Sequence, residues 1–346
     1  MIEPGATIGI LGGGQLGQMI GQSAVEMGFR VLVLDPTPGC SASRVAEQIV
    51  APYDDVEAVR ELAERSDVVT YEFENVDAEA LAAAGLPTRA LRICQDRWAE
   101  KQFLTEAGVP VAPFRLVNEP EDLVGPGVLK TRRGGYDGKG QVVLGAEGDE
   151  QEAWAAAREL IGATECILED WVDFELELSV IVAGNGTGQF VTFPPSENQH
   201  RRNILHRSIV PARVPPAAAR QAEELALTIA KHLDLVGVMG VELFYLPGGE
   251  LLVNELAPRP HNSGHYTIEA CSLSQFDAHV RGICGWPLPT PRLLSPAVMT
   301  NVLGEDLPAT LERIRTEPTW SVHLYGKGEA RPGRKMGHIT VLEETP

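Results

Sequence analysis

Hydrophobic positions along this chain recur with two different periods. Short apolar runs of β-forming residues alternate with helical patterns at the start: Thr7 to Leu11, a helical periodicity from about Gln15 to Met27, then Arg30 to Asp35, and later Asp67 to Tyr71. Strand, helix and strand in that order predict a small βαβ unit with a parallel sheet. A helix carrying Arg97 and Lys101 follows, and Gly108-Val109-Pro110-Val111-Ala112-Pro113 reads as a linker opening a second unit. That unit has an apolar strand ending in Val128-Leu129-Lys130, a return strand from Val142 to Leu144, an amphipathic helix from Glu150 to Ile161, and a strand, Cys166 to Val172, leaving into a hinge. Glu175 to Val182 then alternates as a half-buried strand, residues 217–233 form another amphipathic helix, and two apolar β runs flank Pro247-Gly248-Gly249.

That last pattern is a hairpin with a chemical consequence. If Gly248 and Gly249 form a two-residue primed turn, 247 pairs with 250, 246 with 251, and Glu242 faces Glu255 across the ladder. Their Cβ atoms would lie roughly 5 Å apart. Opposed like charges destabilise a sheet unless something positive sits between them, and two carboxylates suit Mg²⁺ held jointly with substrate phosphates. Two solvated glutamates on an outer strand face are the competing reading. The next segment, Leu256-Ala257-Pro258-Arg259-Pro260-His261-Asn262-Ser263-Gly264-His265, is dense in polar groups and stiffened by two prolines, as an active-site loop would be. Arg259 offers a planar clamp for an anion, and His261 a hydrogen bond or a proton carrier, unless it is an ordinary loop histidine.

Two glycine-rich segments point to phosphate. Gly12-Gly13-Gly14-Gln15-Leu16-Gly17 lies between strand and helix, with Asp35 ending the next strand, and matches a dinucleotide fingerprint. Tight packing or another phosphate ligand explains the same glycines. Thr131-Arg132-Arg133-Gly134-Gly135-Tyr136-Asp137-Gly138-Lys139-Gly140-Gln141 sets four glycines among cations between two strands. Such a loop can fold its amides over a triphosphate and open again. A merely flexible hairpin tip leaves Lys130, Arg132, Arg133 and Lys139 without a purpose in so acidic a chain. The tail carries Tyr325-Gly326-Lys327 and Arg331-Pro332-Gly333-Arg334-Lys335-Met336-Gly337-His338, four cations within nine positions, which invites an anionic substrate.

Composition narrows the classes. The 346 residues suit two or three domains, and a net charge of −19 argues against a general affinity for nucleic acid or anionic lipid. Met1-Ile2-Glu3-Pro4 lacks a basic leader and Thr7 to Leu11 is too short to span a membrane, so a cytoplasmic protein is expected. Cys40, Cys94, Cys166, Cys271 and Cys284 are scattered without a C-x-x-C pair and read as reduced packing residues.

Taken in order, the glycine turn, the Lys130 strand, the Gly134 to Gly140 loop, the Glu169 hinge, the paired glutamates and N-E-L-A-P-R-P-H-N-S-G-H resemble an ATP-grasp ligase over nearly the whole chain. G-G-G-Q-L-G, R-R-G-G-Y-D-G-K-G-Q and R-P-G-R-K-M-G-H make it most similar to the 5-(carboxyamino)imidazole ribonucleotide synthetases of purine biosynthesis. The resemblance implies an α/β chain with α+β character in its centre: an N-terminal Rossmann-like domain at 1–95, a central lid domain at 96–171 and a C-terminal catalytic domain with a mixed or antiparallel sheet at 172–346. It implies carboxylation of 5-aminoimidazole ribonucleotide with bicarbonate and ATP by way of carboxyphosphate, Mg²⁺ or Mn²⁺ as cofactor, and a homodimer.

By the same resemblance Arg97 and Lys130 meet ATP, and Gly135, Tyr136, Asp137, Gly138, Lys139, Gly140 and Gln141 form the mobile lid. Glu169, Asp170, Trp171 and Val172 meet the adenine, Glu177 the ribose, and His200, Asn254 and Glu255 the nucleotide. Glu242 and Glu255 hold the metal. In a flat strand Asn254 would point away from Glu255, so a twist, a bulge or a backbone contact is required. Arg259, His261, Asn262 and Lys335 form the reaction centre, with His261 taking a proton during carboxyl transfer. Gln15, Leu16, Glu72, Tyr136, Lys327, Arg334 and Lys335 line the ribonucleotide site. Members usually continue for another helical segment beyond the His338 motif, whereas this sequence stops at Pro346. The nearest rival is the formate-dependent glycinamide ribonucleotide transformylase, disfavoured because Gln15, Asn262 and Arg334-Lys335 stand where that family would show Glu, Asp and two arginines. A Rossmann NAD-dependent oxidoreductase and a non-catalytic nucleotide-binding regulator are the readings from other classes.

Overall fold

In the computed structural model, which describes residues 1–83, 87–135, 139–145 and 150–343, the chain lays down three sheets one after another. The first is built from β1 (Thr7–Leu11), α1 (Gln15–Glu26), β2 (Arg30–Leu34), β3 (Glu47–Ile49), α2 (Val56–Glu64) and β4 (Val68–Tyr71), in the order β3-β2-β1-β4 with every pairing parallel. Its strands are covered on both faces and therefore read as apolar runs. Ile8, Ile10, Val31 and Val33 pack with Leu16, Met19 and Ile20 on one side, and Leu11, Leu32 and Leu34 pack with Val59 and Leu62 on the other. β3 was absent from the pattern because three residues, Glu-Gln-Ile, carry no readable period. Three helices follow: α3 (Ala78–Ala83), α4 (Arg89–Cys94) and α5 (Arg97–Glu106). Asp96 caps α5, its carboxylate accepting from the N–H groups of Trp98 and Ala99.

The second sheet holds β5 (Phe114–Val117), β6 (Gly127–Thr131), β7 (Gln141–Leu144) and β8 (Cys166–Asp170), antiparallel in the order β5-β8-β6-β7, with α6 (Glu150–Ala163) between β7 and β8 in sequence. The glycine-rich loop is the tip of the β6–β7 hairpin. Tyr136, Asp137 and Gly138 of that loop lie outside the described residues.

The third sheet is the largest. It takes β9 (Leu176–Asn185), β10 (Phe190–Thr192), β11 (Ser196–Arg201) and β12 (Ile204–Val210), then α7 (Pro216–Leu233), β13 (Val236–Tyr245) and β14 (Leu251–Ala257). After α8 (Thr267–Ala270) and α9 (Gln275–Ile283) come β15 (Ala297–Leu303), α10 (Leu307–Arg313), β16 (Trp320–Leu324) and β17 (Lys335–Leu342). The order is β14-β13-β9-β11-β12-β15-β17-β16, with β10 on β9. Ala222, Ala226, Ile229 and Leu233 of α7 pack on Val180, Val182, Met239 and Val241. On the other flank Phe276 and Val280 of α9 join the core around Leu16 and Ile20, which seats the N-terminal sheet against the large one. The cation-rich tail joins the last two strands of the main sheet, and of its four cations Lys335 alone lies in a strand. Among the described residues no helix is long and apolar enough to cross a membrane, and the five cysteines are unpaired.

Candidate active site

The glutamate hairpin reaches its expected pairing by an unexpected route. Leu246 N–H donates to Glu250 O at 2.9 Å, Gly249 N–H donates to Leu246 O at 2.8 Å, and Gly249 sits in the left-handed region at φ 86°. The loop therefore has three residues, not two, and the register near it is shifted by one: Tyr245 pairs with Leu251 and Leu243 with Val253. A β-bulge then inserts Asn254 and restores Glu242 opposite Glu255. The two departures cancel. Because of the bulge, Asn254 and Glu255 both line the same cleft as Glu242, where strict alternation would have sent neighbours to opposite faces.

That cleft, of about 640 Å³, lies between the lid sheet and the main sheet. Its polar end gathers Lys130, Glu242, Asn254, Glu255, Arg259, His261, Asn262 and Lys335. Burial, and then the charge of Glu255 opposite, hold the Glu242 carboxyl well above the usual carboxylate range. Among the described residues no group of three or more His, Cys, Asp or Glu gathers to hold a metal. Two carboxylates that repel each other are a donor set for a divalent cation completed by phosphate oxygens, so the residues fit Mg²⁺ in that shared form.

His261 is engaged at both ring nitrogens. Nε2 lies 3.1 Å from Glu242 Oε1, and Nδ1 lies 2.8 Å from Ser263 Oγ and accepts from Ser263 N–H at 3.4 Å. Burial, then Arg259 and Lys335, push the imidazole well below its usual range. The residue expected to take a proton thus lies beside Glu242, which it also orients. Arg259 is likewise held by a partner that sequence reading passed over: Nε donates to Glu74 Oε2 at 2.5 Å and Nη2 to Glu74 Oε1 at 3.2 Å. Burial would raise the Glu74 carboxyl, but Arg259 outweighs it and the pKa is lowered. The only signal for Glu74 was its place in the E-F-E run just past β4.

The N-terminal glycine turn is filled by protein. Glu72 accepts from Gly14 N–H at 2.6 Å and Gly17 N–H at 2.7 Å, so a carboxylate of the chain itself occupies the anion position at the start of α1. Asp35 accepts from the N–H groups of Gly13 and Thr37 and from the Tyr53 hydroxyl. Three of the roughly four acceptor sites of Asp35 and the anion position of the turn are thus taken by the chain itself, which disfavours the NAD reading. Gln15 turns elsewhere: Nε2 donates to Asn262 Oδ1 at 2.8 Å and Oε1 accepts from Lys327 Nζ at 2.7 Å. Gln15 thus joins Lys327, expected like it at the ribonucleotide site, to Asn262, expected at the reaction centre, whereas the Leu16 side chain belongs to the core.

Of the residues expected to meet the nucleotide, Gly135, Lys139 and Gln141 line the cleft beside Arg97, whose guanidinium donates to Thr131 O at 2.9 Å and Gly135 O at 3.0 Å. His200 Nδ1 meets Glu177, and both face the same space. Of the four residues expected at the adenine, Trp171 lines the cleft. Glu169 points inward between Lys101 and Lys130, Asp170 pairs with Arg115 at 2.8 Å, and Val172 is half-buried where β8 ends. Phe174 and Phe244, stacked with centroids 4.5 Å apart, join Val128, Val143 and Leu205 at the apolar end. Sequence reading missed both because a phenylalanine beside or within a strand looks like core. Three of the cations read as anion-binding have partners within the protein. Arg132 and Arg133 pair with the cap residue Asp96, so they brace α5, and exposed Arg334 donates to Glu329 O at 2.9 Å on the turn before β17.

A cleft closed on one side by a glycine hairpin and floored on the other by opposed glutamates and an Arg-His-Asn loop defines an ATP-grasp ligase. Residues 5–91 match the ribonucleotide synthetase preATP-grasp domain, 102–276 the ATP-grasp domain, and 297–346 the phosphoribosylaminoimidazole carboxylase C-terminal domain. The chain is 48% identical to the N5-carboxyaminoimidazole ribonucleotide synthase of Bacillus subtilis, covering 99% of this chain and 93% of that one. It superposes on the ADP complex of an N5-carboxyaminoimidazole ribonucleotide synthetase with a TM-score of 0.95 at 49% identity, over 100% and 94% of the two chains. An Aspergillus clavatus synthase in complex with ADP and 5-aminoimidazole ribonucleotide gives 0.90 at 35% identity, over 98% and 94%. The chain belongs to the N5-carboxyaminoimidazole ribonucleotide synthase family.

Proposed function

We propose that this protein carboxylates 5-aminoimidazole ribonucleotide with bicarbonate, converting ATP to ADP and phosphate, in the de novo purine pathway. The observation that carries the reading is the bulged hairpin, which aims Glu242, Asn254 and Glu255 into one cleft beneath Lys130.

Bicarbonate is a poor nucleophile and the triphosphate repels it, so catalysis here is positioning plus neutralisation of charge. A bicarbonate oxygen bonds to the γ-phosphorus as the bond to ADP breaks, giving carboxyphosphate. The amine nitrogen then attacks its carboxyl carbon, phosphate departs, and the nitrogen loses a proton. Lys130 and Lys139 meet the phosphates, and Arg259, held by Glu74, presents its remaining edge to bicarbonate. Glu242 and Glu255 would hold Mg²⁺, which when bound offsets phosphoryl charge. His261 keeps Glu242 turned toward that ion. Trp171, Phe174 and Phe244 give the base an apolar seat, with Glu177 and His200 at the ribose. Gln15, Asn262, Lys327 and Lys335 bind the ribonucleotide. The lid excludes water from carboxyphosphate, which hydrolyses readily. We also infer a cytoplasmic homodimer.

The test is ADP release with 5-aminoimidazole ribonucleotide, with and without bicarbonate, and with glycinamide ribonucleotide plus formate as the comparison. Release that needs both bicarbonate and the aminoimidazole is expected. Release with the glycinamide substrate instead would overturn the assignment.

A further inference from the structure

Four groups from four elements close a ring just behind the cleft floor. Lys101 Nζ, on α5, donates to the backbone carbonyl of Asn254 at 2.7 Å and lies 3.2 Å from Glu169 Oε2. Glue for the other half comes from Lys130, whose Nζ lies 3.0 Å from Glu169 Oε1 and 3.5 Å from Asn254 Oδ1. Lys101 is 1% exposed and Glu169 4% exposed, so both side chains are almost wholly enclosed by protein. Charged side chains that deep are retained only when paired, and here the partner on one side is the extra residue of the β14 bulge.

A bulge leaves its inserted residue outside the regular ladder, and the carbonyl there needs a donor from elsewhere. Lys101 is that donor. Its second contact, Glu169, is also the counter-charge of Lys130 on the lid sheet. One ammonium therefore ties the strand bearing Asn254 and Glu255 to the sheet bearing the phosphate-facing lysine.

We propose that Lys101 is a positioning residue that fixes the Asn254 bulge, and with it the aim of Glu255, relative to Lys130. This rests on the nucleotide and metal reading of the cleft. It makes Lys101 matter for divalent-dependent nucleotide binding while leaving the ribonucleotide side, built from Gln15, Asn262 and Lys327, largely alone.

The experiment replaces Lys101 with Met in the full-length chain and titrates ADP with and without Mg²⁺ by calorimetry. In the wild type Mg²⁺ should tighten ADP; in Lys101→Met that tightening should fall at least tenfold. Hydrogen exchange of residues 251–257 should speed up, and the KM for 5-aminoimidazole ribonucleotide should stay within about twofold. In a Glu255→Gln background the same change should have little further effect on the Mg²⁺ dependence. Unchanged Mg²⁺ dependence, or effects of the two substitutions that simply add, would overturn the proposal. If Lys101→Met does not fold, Glu169→Gln, which removes the anion holding the ammonium, is read the same way and must show the same loss. Because ADP binding needs no turnover, a wild type that binds Mg²⁺-ADP but carboxylates nothing would sink the functional reading and leave this one standing.

Discussion

The side-chain amide of Gln15 donates to Asn262 Oδ1 at 2.8 Å across 247 positions of sequence, and its oxygen accepts from Lys327 at 2.7 Å. One glutamine thus joins the first glycine turn, the Arg259-His261-Asn262 loop and the tail. An amide can serve an acceptor and a donor at once; a carboxylate cannot. Gln15→Leu removes both contacts, and the expected loss is about 1–3 kcal/mol, or roughly 5- to 150-fold in kcat/KM for 5-aminoimidazole ribonucleotide. Steady-state kinetics with ATP saturating checks it, and an unchanged value would remove Gln15 from the site.

Glu242 and Glu255 face each other at paired positions. Function and stability should therefore move in opposite directions at this pair. Glu255→Gln is expected to lower turnover by about 100-fold or more, on the scale of removing a preorganised electrostatic group. In metal-free buffer it should also raise Tm by roughly 1–3 °C, because a like-charge pair across a ladder is destabilising. A fall in metal-free Tm would mean that the two carboxylates are not in conflict.

Asp96 links stability to pH. Its carboxylate caps α5 and accepts from Arg132 at 2.5 Å, and although burial would raise its pKa, Arg132 lowers it. A carboxylate with a depressed folded pKa contributes stability that is present above its unfolded value, about 4, and is lost as pH falls through the folded value below that. Asp96→Asn should cost about 1–3 kcal/mol at pH 7, and the gap to wild type should narrow as pH drops below about 4. Urea denaturation at a series of pH values measures this. A gap that is constant with pH would show that the charge of Asp96 is irrelevant.

Glycine in the first turn is required by the Glu72 carboxylate. A Cβ at Gly14 would lie 2.6 Å from Glu72 Oε1, and one at Gly17 would lie 2.3 Å from the backbone oxygen of Gly12. Gly17→Ala should therefore destabilise by about 1–3 kcal/mol, read as a drop in denaturation midpoint. The wild type, with Glu72 in the anion position, should leave NADH fluorescence unchanged on titration. NADH binding would contradict this account of the turn.

Local signals made much of this protein legible. The first βαβ unit, the glycine lid between two strands, the amphipathic helix over 217–233 and the two glutamates all follow from period, turn residues and composition, because each is settled by neighbours within a few positions. The pairing of Glu242 with Glu255 was legible although the path to it was not: loop length and bulge shifted the register in opposite senses. What the residues then touch was decided by tertiary structure. Glu72 fills the turn that looked ready for a dinucleotide, Glu169 turns inward to Lys101 and Lys130, Arg259 is held by Glu74, and Arg132 braces Asp96. These partners lie between 36 and 185 positions apart, or on elements whose packing no local pattern specifies. Residue types show which charges a chain carries, but burial and long-range contact determine which are consumed in holding the fold and which remain for substrate.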